Sequence, residues 1–406
     1  MTHYRERTVN DVYDVVVVGA GIFGVTAALS LRRRQNTVAL LDPGSLPNPR
    51  AASTDISKVV RMEYGADTVY MAMVEEALEG WHRWNEGWDE PLYHETGVVM
   101  LARAPLTPGG FEYESYQALL QRGHRPERLD ADEIARRFPA WKPGAFVDGF
   151  FHARGGYAES GRVVAALIRE AESRGVDVYE RQVATALLRD GDRVTGVRTR
   201  SGETFAAGHV LVAAGSWTYL LVPELTPYMR ATGHPVFHLR PADPKMFAPP
   251  RFTVFTADVS QTGWYGFPFH PGEGVVKIAN HGVGVRLHPD DDERVVTAED
   301  EARLRAFLSD TLPGLAEAPV VYTRRCLYAD TLDEHLWIDR HPDLEGLTVA
   351  TGGSGHGFKF APILGDLIAD VLEGARGGKE NDWLVRFRWR ELSAGTAGEE
   401  AARHHP

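Results

Sequence analysis

The pattern that most restricts the fold of this chain lies near its N-terminal end. Residues 14–18 are an aspartate followed by four valines, an apolar run typical of a central parallel strand buried on both faces. The glycine pattern G-x-G-x-x-G follows at once over residues 19–24 and predicts a helix that extends to about Arg34. A second strand is predicted over residues 37–41 and ends at Asp42. These elements, in this order, predict a βαβ unit.

Three glycines and one acidic residue of this unit have the spacing of a dinucleotide-binding site. Glycines at these positions allow a tight turn, close packing of helix on strand, and the approach of a pyrophosphate to backbone N–H groups at the helix start. An acidic residue at the end of the second strand can accept hydrogen bonds from a ribose hydroxyl. We therefore predict that a dinucleotide binds at Gly19, Gly21, Gly24 and Asp42. The pattern alone does not distinguish FAD from NAD.

The length of 406 residues predicts two domains, or one nucleotide-binding fold with a large insertion. The nucleotide-binding pattern returns in a buried strand that runs into Gly215, and again in a strand and helix after the only cysteine, Cys326. We expect a discontinuous cofactor domain made of residues 1–85, 151–220 and 326–390. We expect a substrate domain, richer in proline and aromatic residues, made of residues 86–150 and 221–325. The small, polar residues 391–406 are expected to form a disordered tail.

Composition excludes several classes of function. Hydrophobic residues make up 43% and charged residues 25% of the chain, as in globular proteins. A net charge of -12 opposes binding to nucleic acid, because a phosphate backbone would be repelled. A single cysteine allows no intrachain disulfide and no cysteine-based metal site, and no apolar run is long enough to span a membrane. We expect a cytoplasmic protein that binds no metal, nucleic acid or membrane.

Several single residues leave more than one interpretation open. Cys326, taken alone, is most simply a small buried hydrophobic residue. Lys58 and Arg61 could converge on an anion, although a solvated pair is the commoner outcome for cations at this spacing. Lys277 and His281 lie in or just after a predicted strand, where a lysine is usually a surface residue.

Motifs in the last third of the chain resemble a known family. They are Cys326-Leu327-Tyr328, Leu332-Asp333-Glu334-His335, Ile338-Asp339, His341-Pro342 and the run from Ser354 to Phe360. With the glycine pattern, they resemble the D-amino-acid-oxidase-like flavoprotein superfamily, and within it the monomeric sarcosine oxidase family. The resemblance extends from Asp14 to about Leu372. It implies an α/β fold in which a Rossmann-type FAD-binding domain carries an inserted α+β substrate domain with a mixed, largely antiparallel sheet.

The resemblance also implies how the cofactor is held. The cysteine that matches Cys326 carries the flavin of that family through a thioether at its 8α-methyl group, and Arg324 and Arg325 could favour the thiolate that this reaction needs. The residues implied to bind FAD are Gly19, Gly21, Gly24, Asp42, Val183, Gly215, Cys326, Gly353, Gly355, His356, Gly357, Phe358 and Lys359.

The resemblance assigns roles to the substrate side as well. Arg61 and Lys359 match the pair that holds a substrate carboxylate, and Lys277 matches the lysine that activates O2. Tyr265 and His281 match residues that line the substrate pocket. Lys58 stands where sarcosine oxidases have an arginine, a feature that resembles fructosyl-amino-acid, saccharopine and pipecolate oxidases.

These implications lead to one expected reaction. A carboxylate-bearing secondary amine, an N-substituted or cyclic amino acid, would be oxidised at its C–N bond to an imine while O2 is reduced to H2O2. No general base is assigned, because a desolvated site beside cations favours loss of the ammonium proton. The alternatives are a flavin dehydrogenase or biosynthetic tailoring oxidase acting on a related cyclic amino acid, and a non-catalytic FAD-binding subunit. We expect the enzyme to be a monomer.

Overall fold

The computed structural model describes residues 12–290, 292–374, 383–393 and 395–405. Its strands, numbered in chain order, are β1 (Tyr13–Val18), β2 (Val38–Leu41), β3 (Lys58–Val60), β4 (Tyr93–His94), β5 (Val98–Ala102), β6 (Glu127–Asp130), β7 (Asp148–His152), β8 (Gly156–Ala158), β9 (Asp177–Tyr179), β10 (Ala184–Asp190), β11 (Arg193–Thr199), β12 (Thr204–Val212), β13 (Met229–Leu239), β14 (Val254–Ala257), β15 (Trp264–Gly266), β16 (Val276–Asn280), β17 (Val285–Arg286), β18 (Val320–Thr331), β19 (Trp337–Arg340) and β20 (Leu347–Thr351).

The α-helices are numbered in the same way. They are α1 (Ile22–Arg33), α2 (Thr68–Gly87), α3 (Phe111–Gln121), α4 (Ala131–Arg137), α5 (Ser160–Ser173), α6 (Thr218–Leu221), α7 (Val259–Thr262), α8 (Ala298–Thr311), α9 (Pro313–Ala316) and α10 (Ala361–Glu373). In the described part of the chain, none of them is both long and apolar enough to cross a membrane.

The first large sheet contains the predicted βαβ unit. Its parallel strands lie in the order β9, β2, β1, β12 and β20, while β10, β11 and β19 add antiparallel pairs at its margins. The valines of β1 and all of β2 are buried, as continuous apolar strands of a covered sheet should be. Helix α1 packs against α5 and α10. This arrangement confirms the predicted α/β class and the βαβ unit within it.

The second large sheet is mixed and largely antiparallel, as predicted. Its strands lie in the order β17, β13, β16, β15, β14, β5, β7 and β6, with β18 also paired to β13. Only β14 and β5 run parallel among its described pairs. A core rich in aromatic side chains, including Trp141, Phe237, Phe255 and Phe307, packs beneath it.

Strand β18 crosses one of the predicted domain limits. It pairs with β13 from Val320 to Thr331, so the predicted limit before Cys326 falls inside a strand of the second sheet. The strand continues because residues 326–331 are buried and keep their antiparallel partners. Cys326 therefore lies on the sheet that covers the site, and the nucleotide-binding strands resume only at β19 and β20.

Residues 395–405 differ from the predicted disordered tail. Glu400 and Arg403 are buried, and the Arg403 guanidinium forms ion pairs with Asp330 and Glu334. A composition of small, polar residues predicts disorder only for a segment that has no partners in the folded protein. Here the two buried carboxylates form ion pairs with Arg403 and order the segment. This segment, which we call the C-terminal strap (residues 395–405), is part of the folded structure.

Candidate active site

A cavity of about 530 Å³ lies at the carboxyl edge of the parallel sheet, where the turns after β1, β2, β12 and β20 meet. This is where open α/β sheets bind their ligands, and the volume suits a cofactor. The predicted site residues that line it are Lys58 and the cofactor-binding residues Gly19, Gly21, Asp42, Val183, Gly215, Gly353, Gly355, Gly357 and Phe358. The other predicted cofactor-binding residues, Gly24, Cys326, His356 and Lys359, lie around this cavity without lining it.

The glycine turn after β1 is shaped by close backbone contacts. Gly19 has a φ of +106°, and a Cβ there would lie 2.5 Å from the carbonyl oxygen of Ala213. A Cβ on Gly24 would lie 1.8 Å from the Gly19 carbonyl oxygen, so Gly24 serves the packing of α1 on the turn. Asp42 accepts a hydrogen bond from the Ala20 N–H at 3.0 Å, which joins the ends of β1 and β2. The turn therefore exposes backbone and a fixed carboxylate to the cavity, as a dinucleotide requires.

The glycine turn after β20 packs against a tyrosine. Gly355 has a φ of +80°, and a Cβ there would lie 2.3 Å from the Tyr328 ring. His356 points away from the cavity. Its Nδ1 lies 2.9 Å from the Tyr64 hydroxyl and its Nε2 lies 3.0 Å from the Glu334 carbonyl oxygen. Burial lowers the pKa of His356 to about 3, so the ring is neutral. Its two hydrogen bonds connect the turn to the core.

The thiol of Cys326 is buried beside a cation, although the cation is not one of the neighbouring arginines. Lys58 Nζ lies 3.8 Å from Cys326 Sγ. Arg324 donates instead to the carbonyl oxygens of Ala51 and Thr54, and Arg325 donates to Asp300 and to Val295 O. Neither guanidinium is hydrogen-bonded to the thiol, and the role predicted for the two arginines at Cys326 stays a prediction.

Lys277 forms a buried ion pair that the sequence did not predict. Its Nζ donates to Asp55 Oδ2 at 2.7 Å and to the Ser57 carbonyl oxygen at 2.5 Å, and it lies 4.6 Å from the centre of the Phe267 ring. Burial lowers the pKa of Lys277 to about 8, although Asp55 opposes the shift. For Asp55, burial acts to raise the pKa, but Lys277 and other neighbours hold it well below its usual value.

Arg61 and Lys359, the predicted carboxylate pair, meet at Tyr64. Lys359 Nζ donates to the Tyr64 hydroxyl at 2.8 Å, and the Arg61 guanidinium lies 5.4 Å from the centre of the same ring. Both cations are buried, with 6% and 3% of their surfaces exposed. Burial and the charge of Arg61 hold the pKa of Lys359 well below its usual value. An incoming carboxylate would relieve this repulsion between two buried cations.

His281, predicted to line the substrate pocket, is bound by the C-terminal strap. Its Nε2 lies 2.5 Å from Glu400 Oε2, and Glu400 Oε1 lies 3.6 Å from Arg61 Nη2. The pocket side of His281 also faces two tyrosines, with ring centres 5.8 Å from Tyr328 and 6.5 Å from the half-buried Tyr265. Burial raises the pKa of Tyr265, so this phenol stays neutral.

The structure thus brings the predicted catalytic and substrate residues to one region, together with residues that sequence reasoning missed. The missed residues are Asp55, Tyr64, Tyr328 as a pocket residue, Glu400 and Arg403. Asp55 lies in a polar loop just before Lys58. An acidic residue so close to the predicted cations Lys58 and Arg61 was the one signal in the sequence that could have indicated its role. Across the described part of the chain, no group of three or more histidine, cysteine, aspartate or glutamate residues is arranged to hold a metal ion.

Comparisons with known proteins extend over most of the chain. The family model described as FAD dependent oxidoreductase matches residues 14–371. The chain is 28% identical over 367 residues to monomeric sarcosine oxidase of Bacillus sp. (strain B-0618), covering 88% of this chain and 92% of that protein. It is 30% identical over 367 residues to N-methyl-L-tryptophan oxidase of Salmonella heidelberg (strain SL476), covering 89% of this chain and 95% of that protein.

Two solved structures are similar at the level of fold and sequence. Fructosyl amine:oxygen oxidoreductase (Amadoriase I) from Aspergillus fumigatus aligns with a TM-score of 0.77 and 25% identity, covering 95% of this chain and 91% of its own. NikD, described as an unusual amino acid oxidase essential for nikkomycin biosynthesis, aligns with a TM-score of 0.79 and 25% identity. The alignment covers 93% of this chain and 98% of the NikD chain.

Proposed function

The chain belongs to the FAD-dependent oxidoreductase family, and from this premise we propose that it is an oxidase of carboxylate-bearing secondary amines. Its substrate would be an N-substituted or cyclic amino acid, which leaves as an imine. The observation that carries the proposal is the meeting of Arg61 and Lys359 at Tyr64, beside the cofactor cavity. Arg61 Nη2 lies near Glu400, but Arg61 Nη1 has no hydrogen-bond partner in the described structure, so it can bind a substrate carboxylate together with Lys359. The names of two relatives, which specify sarcosine and N-methyl-L-tryptophan, support the same class of substrate.

The cavity fits FAD by the chemistry of its walls. Glycine turns leave backbone N–H groups accessible at the start of α1 and after β20, and Asp42 faces the same space. When bound, FAD supplies the two-electron oxidation of the C–N bond and passes the electrons to O2. The residues of this chain bind the amine, exclude water and hold positive charges at fixed positions in the site. Tyr265, His281 and Tyr328 enclose the amine, while Arg61 and Lys359 orient its carboxylate.

Lys277 is assigned to the reaction with O2. A fixed buried ammonium stabilises negative charge as it develops on oxygen, and such a charge is worth most where water is excluded. Asp55 and the Ser57 carbonyl oxygen hold Lys277 Nζ in one position. We assign Lys58 to orienting the side chain of Cys326, because its Nζ lies 3.8 Å from Cys326 Sγ.

Cys326 is proposed as the covalent anchor of the flavin. The thiol is 1% exposed, and it lies beside Lys58 and Ala52, which both line the cavity. Acid precipitation of the holoprotein should therefore leave the flavin on the protein, and flavin released entirely to the supernatant would contradict the linkage. We further propose a monomer in the cytoplasm, since the single cysteine allows no intrachain disulfide.

A substrate survey tests the proposed activity. The holoprotein should release H2O2 with at least one of sarcosine, N-methyl amino acids, L-pipecolate, L-proline, saccharopine and fructosyl amino acids. The similarity to NikD, which is described as a biosynthetic amino acid oxidase, favours a tailoring oxidase as the second candidate, and we propose a cyclic amino acid as its substrate. That candidate predicts activity confined to ring amines such as L-pipecolate. Flavin reduction without H2O2 release would indicate a dehydrogenase, and no flavin reduction by any of these amines would contradict the proposal.

A further inference from the structure

The C-terminal strap is fixed to the pocket by buried charges. Arg403 donates to Asp330 Oδ2 at 2.8 Å and to Glu334 Oε1 at 2.7 Å, and all three side chains are at most 7% exposed. The His404 N–H donates to the His281 carbonyl oxygen at 3.0 Å. Releasing the strap would leave two buried carboxylates without their cation, which is strongly unfavourable. The strap is therefore a lasting wall of the pocket, and the residues that it presents there belong to the working site.

Glu400 is the strap residue that faces the predicted substrate residues. Its surface is 5% exposed, its Oε2 lies 2.5 Å from His281 Nε2, and its Oε1 lies 3.6 Å from Arg61 Nη2. Among the residues that the structure describes, Glu400 Oε1 has no hydrogen-bond partner, and neither has Arg61 Nη1. A buried charged group with an unused hydrogen-bonding atom is costly unless a ligand completes it. Here an acceptor and a donor of this kind lie on two facing side chains.

An acceptor and a donor placed so close together suit a ligand that carries both kinds of partner on neighbouring atoms. An α-amino acid has a carboxylate and an amine on one carbon. We propose that Glu400 is a specificity-determining residue, whose free carboxylate oxygen accepts a hydrogen bond from the amine N–H of the substrate while Arg61 binds its carboxylate. This assignment rests on the proposed function, to which it adds recognition of the amine.

The charge of Glu400 suits this role. Burial acts to raise its pKa, but His281 and Arg61 outweigh burial and lower the pKa below its usual value. Glu400 therefore remains a carboxylate and serves as an acceptor for the amine. A secondary amine keeps an N–H both as an ammonium and after losing a proton, so the contact lasts through the change of protonation state.

Two ligands that cannot be oxidised test the assignment on the holoprotein. In 2-aminoisobutyrate a carboxylate and an amine share a carbon that has no hydrogen. Pivalate has nearly the same shape, with a methyl group in place of the amine. Isothermal titration calorimetry with each ligand would be run on wild type, on Glu400→Gln and on the control Glu399→Gln. Glu399 lies on the same strap, but its side chain is 63% exposed and pairs with His335.

Glu400→Gln should weaken the binding of 2-aminoisobutyrate by about tenfold or more, because a neutral amide oxygen replaces a charged acceptor of the amine hydrogen bond. The same variant should bind pivalate more tightly, because Arg61 no longer shares its charge with Glu400. Glu399→Gln should change neither. Equal strengthening of both ligands would overturn the proposal and make Glu400 a competitor of the substrate carboxylate. Unchanged binding of both, or no binding of 2-aminoisobutyrate to wild type, would overturn it too. Failure of the proposed oxidase activity would appear in the H2O2 survey, since neither ligand is oxidised.

Discussion

Two buried ion pairs lie near each other in this protein, and they differ in how completely their atoms are used. Lys277 and Asp55 are in direct contact at 2.7 Å, each side chain is 2% exposed, and Ser57 O takes a further hydrogen of the ammonium. Arg61 Nη2 and Glu400 Oε1 are 3.6 Å apart, and in the described structure Arg61 Nη1 and Glu400 Oε1 have no hydrogen-bond partner. We call the first the closed pair and the second the open pair.

Similar burial and similar charge therefore serve two purposes in these pairs. In the closed pair the protein itself satisfies both ions, so a positive charge stays in one place whether or not a ligand is present. In the open pair the protein leaves hydrogen-bonding capacity unused, which costs stability and is recovered only when a ligand binds. Mutation of the closed pair should therefore mainly lower the stability of the protein. Mutation of the open pair should mainly change ligand binding.

The largest effect is expected from Asp55→Asn, which keeps the shape of the closed pair and removes its negative charge. Lys277 would be left buried beside a neutral partner, and stability should fall by about 3–5 kcal/mol. Urea unfolding of the holoprotein measures this loss. The control is Glu345→Gln, which removes an exposed pair with Arg193 and should cost less than about 1 kcal/mol. Equal losses in the two variants would mean that the closed pair is not a stabilising unit.

Arg61→Ala breaks the open pair and should act mainly on binding. Loss of a buried cation that contacts a carboxylate should make the binding free energy of pivalate about 2–3 kcal/mol less favourable. Stability should change by only about 1 kcal/mol, because Glu400 keeps its contact with His281. Calorimetric titration and urea unfolding of the same preparation separate the two effects. A variant with unaltered pivalate affinity would show that Arg61 is not the anchor.

The charge of Lys277 gives the next prediction, a dependence on pH. Its pKa is lowered to about 8, so the ammonium is present below this pH and lost above it. Reoxidation of the reduced flavin by O2 should be fastest below pH 8 and should fall above it, by at most about tenfold per pH unit. Stopped-flow mixing of photoreduced holoprotein with O2 measures this rate.

Two variants sharpen the interpretation of that profile. Lys277→Met should be slow and independent of pH over this range, whereas the exposed Lys245→Met should behave as wild type. If Lys277→Met reoxidises at the wild-type rate, the closed pair has only a structural role.

The smallest effect on stability is expected from Cys326→Ser. The side chain is close to isosteric, so stability should change by about 1 kcal/mol or less while the flavin becomes releasable by acid. Absorbance of the supernatant after acid precipitation measures the release. Flavin that stays with the precipitated Cys326→Ser protein would contradict the thioether.

The sequence predicted those parts of the fold and site that depend on short-range patterns. The strand, glycine turn and helix over residues 14–34 are confirmed because their signals are contiguous and each residue has one clear structural reason. The family, the FAD cofactor class and the largely antiparallel second sheet are confirmed as well. The assigned role of each predicted site residue stays a prediction until it is measured.

The sequence could not predict contacts between charges that lie far apart along the chain. Asp55 is 222 residues from Lys277, and Glu400 is 119 residues from His281. Neither acid has a local pattern that distinguishes it from a solvated one. The strap was predicted to be disordered for the same reason, since Arg403 finds its two carboxylates some seventy residues earlier.

The position of the strap also matters for how the protein is produced and altered. An insertion within residues 395–405 would disturb the contacts that Glu400 and Arg403 make with His281, Asp330 and Glu334. Kinetic constants from such a variant would then report on the insertion as well as on the enzyme. Conversely, a library randomised over residues 396–402 would vary the charge of the pocket while leaving every cofactor-lining residue unchanged.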